Sequence, residues 1–171
     1  MLAEFHQNAL IAHSRASHVR EQALLHLFLG QLMAARWEPG RHDIEVLTSE
    51  VDQGGYDIVL EANGIVRHVQ LKSTFSGSSV RHVTVSTRLL EKPSACVIWL
   101  EVDQHTLAVE RLFWFGGEPG ARLPDLGSKV SRHTRGDSGG QKSHRPMHRD
   151  LGKACFSVLS GVDELLVKLF G

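Results

Sequence analysis

Residues 54–73 read GGYDIVLEANGIVRHVQLKS, and the way the two halves of this stretch pair decides the fold. Asn63-Gly64 between two β-rich runs is a strong hairpin signal, because a two-residue type I′ turn needs positive φ at both positions. Such a turn sets Ala62 against Ile65, and counting outward sets Asp57 against Gln70. Alternation then places Asp57, Glu61, His68, Gln70 and Lys72 on one face. Tyr56, Ile58, Leu60, Ala62, Ile65, Val69 and Leu71 fall on the other, which reads as a core face. An acid, an amide and an ammonium group thus meet at one end of the hairpin.

Working outward, residues 14–37 read as an amphipathic helix. Val19, Leu24, Leu25, Phe28, Leu32 and Ala35 recur at three- and four-residue steps, and Pro39-Gly40 ends the pattern. Residues 1–13 are mildly helical, and the pattern leaves open whether they extend this helix. Glu21 lies four residues before Leu25 and seven before Phe28, so it falls on the apolar stripe, where a carboxylate is costly without a cation. Strands are expected at 44–51, 56–62, 65–73, 80–87, 95–102 and 107–115, with a short helical turn at 88–92 and a closing helix at 160–170. The run ACVIWLEV at 95–102 has the continuous apolar character of a strand covered on both faces. Trp99, Phe113, Trp114 and Phe115 are read as core.

The chain of 171 residues suits one domain, residues 1–171. Lys plus Arg and Asp plus Glu each number 19, so bulk charge does not drive contact with a polyanion, although a local patch can. No apolar run is long enough for a membrane span and the N-terminus lacks signal-peptide character, so a cytoplasmic location with no membrane partner is expected. Cys96 and Cys155 are too far apart in sequence to suggest a Cys-x-x-Cys site.

An N-terminal helix bearing a Glu, then an acid, then Gln-x-Lys across a hairpin resembles the PD-(D/E)XK nuclease superfamily. The likeness is to its Gln-x-Lys branch, which includes Mrr-like restriction endonucleases. It covers roughly Glu21 to Lys72, with the strand order to Phe115 also consistent. The resemblance implies an α/β, restriction endonuclease-like fold: a central mixed sheet of about five strands flanked by N-terminal and C-terminal helices. It implies Mg²⁺-dependent (or Mn²⁺-dependent) hydrolysis of phosphodiester bonds in nucleic acid, DNA in the first instance. Asp57 would be the main metal ligand. Gln70 would ligate through its amide oxygen or place the Leu71 carbonyl, and Glu21 would hold water on the metal or a second ion. Lys72 would orient the attacking water. Two copies would serve the two strands of a duplex, which implies a homodimer. Gly-Tyr-Asp replaces Pro-Asp, and Gln70 replaces an acid, which removes a negative charge and weakens metal binding. The alternative is a catalytically inactive relative serving as a nucleic-acid-binding or protein-interaction module.

Residues 116–150 are read as a long basic loop. Lys129, Arg132, Arg135, Lys142, Arg145 and Arg149 face few acids there and form a candidate clamp on phosphates. His144 and His148 have zinc-ligand spacing on a helix, with His133 and Cys155 near in sequence, but Pro146 between them argues against one. Glu50 and Asp52 could add a ligand beside the Gly-Gly turn, and Glu61 and His68 are read as rim positions.

Overall fold

The computed structural model describes residues 2–37, 41–48, 54–133 and 143–171, with side chains from Ala16 onward. Its centre is a mixed six-stranded sheet in the order β1-β2-β3-β5-β6-β9. The strands are β1 (Glu45–Thr48), β2 (Ile58–Ala62), β3 (Ile65–Phe75), β5 (Ala95–Val102), β6 (Val109–Gly116) and β9 (Ser157–Leu159). The β3–β5 pair is parallel and the other neighbours are antiparallel. A second sheet of three strands runs β4-β8-β7, from β4 (His82–Ser86), β8 (His144–Gly152) and β7 (Val130–Arg132).

The Asn63-Gly64 turn is as expected: φ is 54° at Asn63 and 73° at Gly64, and Ala62 pairs with Ile65. The register that follows puts Ile58 on Val69. Helices α1 (Leu2–Ala35) and α2 (Val162–Phe170) cover one face of the main sheet. Leu24, Phe28 and Leu32 of α1 and Leu165, Leu169 and Phe170 of α2 share a core with Ile58, Leu60, Val69, Ile98 and Leu100. The small sheet covers the other face, where Val83, Val85 and Leu151 pack with Val97, Trp99, Phe113 and Phe115. All eight residues of β5 are buried as a result, which explains its unbroken apolar sequence. Burial of this kind contributes roughly 1.5–3 kcal/mol per large apolar side chain.

The structure settles one open point and corrects other readings. Residues 2–13, whose relation to the helix the sequence left open, extend it without a break. The long loop at 116–150 contains β7 and most of β8, so part of it is ordered sheet. His144 and His148 lie on a strand, and no group of three His, Cys, Asp or Glu converges among the described residues. Val19 is 68% exposed and precedes Leu24, the first buried position among the α1 side chains described.

The helix-facing side of β3 also carries Arg67, which is fully buried. Its Nε donates to Leu169 O at 2.9 Å and its Nη1 to Gly117 O at 3.1 Å, while Nη2 donates to Lys168 O. The guanidinium caps the end of α2, where the helix dipole favours a cation, and lies 5.4 Å from the Trp114 ring centre. Burial lowers its pKa from the ordinary value. Glu101, 5% exposed on the opposite face of the sheet, is paired with Lys153 and Arg111.

Candidate functional site

β3 is longer than the hairpin it belongs to. β2 starts at Ile58, opposite Val69, so the end of β3 from Gln70 to Phe75 runs on beside β5 alone. The chain before β2 makes a bend at Gly54–Asp57, with Gly55 at φ 72°. A side chain at Gly55 would start 2.7 Å from Ser86 Cβ, so the bend needs glycine for both its angle and its clearance.

This bend breaks strand alternation. Alternation puts Tyr56 with Ile58, but Tyr56 packs into the core on the small-sheet side and meets His68 edge-on at 5.0 Å. Asp57 is turned the other way and lines a groove of about 320 Å³ beside α1. Glu21, Leu24 and Leu25 of α1 form one wall of that groove, and Leu71, Lys72 and Ser73 of β3 form the other. The Leu71 N–H donates to Asp57 Oδ2 at 2.6 Å, which fixes the carboxylate at the strand end.

Three of the four residues expected at the site therefore share one groove: Glu21 from the helix, Asp57 from the bend and Lys72 from β3. Glu21 is exposed and not turned into the core, as the stripe argument had it. It follows the stripe, but stands one turn before Leu24, the first buried position among the α1 side chains described. Gln70 lies one residue past Val69, where the β2–β3 ladder ends, and is absent from the groove walls. Its side chain is 7% exposed, and Oε1 has no hydrogen-bond partner among the described residues.

The chemistry of the groove fits a hard divalent cation. Asp57 and Glu21 offer carboxylate oxygens, and Mg²⁺ characteristically takes one or two carboxylates and fills its remaining positions with water. Gln70 fits less well as a direct ligand, since its amide oxygen is buried and it is absent from the groove walls.

The two residues expected at the rim are absent from the groove walls: His68 Nδ1 lies 2.9 Å from Pro93 O, and Glu61 is half-buried in β2. Of the basic residues, Lys129 is exposed with Nζ 3.9 Å from Asp150, and Arg132 is exposed on β7. Arg145 Nη2 is 3.0 Å from His148 Nε2, and Arg149 Nη1 donates to Pro146 O at 2.7 Å. Arg135, Lys142, Glu50 and Asp52 lie outside the described residues.

Sequence reasoning missed Arg20, one residue before Glu21. Its guanidinium stands 5.2 Å from the Phe75 ring centre and helps line a second hollow next to the groove. Its position one helical turn before Leu24 was the available signal. No helix among the described residues is long and apolar enough to cross a membrane. Compared with family models, curated proteins and solved structures, the chain matches none.

Proposed function

We propose that this protein is a Mg²⁺- or Mn²⁺-dependent phosphodiesterase acting on nucleic acid, with DNA the first substrate to test. The observation that carries the reading is that Glu21, Asp57 and Lys72, from three separate elements, line one groove. Two acids and a lysine are the groups that hydrolysis of a phosphodiester needs.

Asp57 and Glu21 would hold the divalent ion, which would supply positive charge to polarise the phosphate. The Leu71 N–H keeps the Asp57 carboxylate in place without a rearrangement when substrate arrives. Lys72 orients the attacking water and stabilises the negative charge that develops on the phosphate oxygens. Lys129, Arg132, Arg145 and Arg149 contribute phosphate contacts outside the groove.

The test is metal-dependent cleavage of a panel of single-stranded and duplex DNA and RNA. Wild type is expected to cut, and Asp57→Ala and Lys72→Ala each to lose at least about 100-fold in rate, with circular dichroism unchanged. Equal cleavage by wild type and Lys72→Ala would refute the assignment.

The enclosure of Gln70 favours a second reading, binding without hydrolysis, because it leaves the groove one metal ligand short. That reading expects no cleavage, together with salt-sensitive DNA retention that survives Asp57→Ala. Retention would fall when Arg132, Arg145 and Arg149 are neutralised.

A further inference from the structure

The groove continues past its acids. A second hollow of about 230 Å³ shares Leu24 and Ser73 with it and extends along α1 toward the end of β3. The two compartments differ in charge. The first contains Glu21 and Asp57, whereas no carboxylate among the described residues lines the second. Its polar groups are Arg20 and the hydroxyls of Ser73, Thr74 and Ser78. Thr74 Oγ1 accepts a hydrogen bond from Trp99 Nε1 at 2.9 Å and keeps its own O–H, so Arg20 and these three hydroxyls are the groups able to meet a ligand.

Arg20 is half-buried, and among the described residues it makes no ion pair or hydrogen bond. Its guanidinium stands over the Phe75 ring, which supports the flat group without using its donors. Glu21 is next to it in sequence, but adjacent residues on a helix do not face each other. A partly desolvated guanidinium with unused donors, in an acid-free hollow flanked by hydroxyls, is a receptor for an anion with several oxygens.

The spacing identifies that anion. Leu71, which anchors Asp57, and Phe75 are four residues apart on an extended strand, about 13 Å. One phosphate cannot span both compartments, but a chain of linked nucleotides can.

We propose that Arg20, supported by Phe75 and flanked by Ser73 and Ser78, is a phosphate-binding subsite for a polynucleotide, holding a nucleotide that neighbours the one in the acid and lysine compartment. Phosphate binding at Arg20 stands on its own observations; the neighbouring position rests on the hydrolase reading.

The experiment measures binding by fluorescence anisotropy in EDTA, so that nothing is cut. The ligand is a labelled single-stranded DNA of about a dozen nucleotides, titrated at several salt concentrations. Arg20→Gln, which keeps a polar stem over the ring, is expected to weaken binding about tenfold and to lower the salt slope by about one. Arg20→Lys is expected to restore the slope. Unchanged affinity and slope for Arg20→Gln overturns the subsite, as does an absence of binding by wild type. In separate arms, inorganic phosphate and a mononucleotide compete for the site. Competition at the oligonucleotide's own affinity, lost in Arg20→Gln, would assign the hollow to a small free ligand and overturn the polynucleotide claim. Cleavage by wild type and Lys72→Ala is scored independently, so loss of the hydrolase reading and loss of the subsite are separate results.

Discussion

Replacing Arg67 with Met tests the claim that one buried guanidinium ties three parts of the chain together. Arg67 donates to the carbonyls of Lys168, Leu169 and Gly117 and stands against Trp114. Methionine fills much of the same volume but cannot donate. The bond to Leu169 O is buried, so losing its donor costs about 2 kcal/mol. The Lys168 and Gly117 bonds are only partly buried, so water recovers most of their loss, and each costs about 0.5 kcal/mol. Removing a cation from the end of α2 adds about 0.5–1 kcal/mol. Relief of the guanidinium's own desolvation offsets part of the total, leaving about 3 kcal/mol. For a chain of this length that lowers the melting temperature by about 6–12 °C. Urea unfolding monitored by circular dichroism, together with a thermal scan, measures both quantities. Arg67→Lys keeps the charge and loses the fork, so it should fall between Met and wild type. A methionine variant melting within about 2 °C of wild type would refute the reasoning.

Two further predictions concern titration. Burial pushes the Cys96 thiol up to about 12, while Cys155 is exposed, so a thiol reagent should modify one cysteine quickly in the native protein and both only after unfolding. Since the folded state keeps the Cys96 proton above the ordinary value of 9.0, this thiol should cost stability as pH rises from about 9 toward 12; Cys96→Ala should flatten that limb of the urea-midpoint profile. Arg36 bonds Asp43 through Nε at 2.7 Å and Nη2 at 2.9 Å, and this holds the Asp43 carboxyl down to about 2. A depressed acid adds stability above its unfolded value of 3.8 and loses it as pH falls toward 2. In Arg36→Ala, the Asp43 titration followed by NMR should return toward the ordinary carboxylate range, and an unmoved titration would show that the pair is not the cause.

The sequence was most legible where local chemistry leaves one choice. Asn63-Gly64 specified its turn, and the turn specified the register of β2 on β3. The apolar run at 95–102 identified the central strand because both of its faces are covered. Legibility failed where a distant partner decides. β8, HRPMHRDLG, has one buried apolar residue, Leu151, and owes its strand form to pairing with β4 and β7. Asp57 and Tyr56 exchanged their expected sides because the Gly54–Asp57 bend interrupts alternation, a break the Gly-Gly pair hinted at. Glu21 was read as core-facing yet is exposed one turn before buried Leu24, since periodicity does not say how far along a helix the buried stretch reaches.

β4 lies within the connection from β3 to β5, yet its hydrogen-bonding neighbour β8 arrives some sixty residues later in the chain. During synthesis, Val83 and Val85 must therefore wait for the segment around Leu151 before their covering layer is complete. Pairing over such separations is entropically expensive and slow. A ribosome-bound fragment ending before residue 144 would expose apolar surface on that side, which makes this layer a late one to close and a natural place for a folding helper to act.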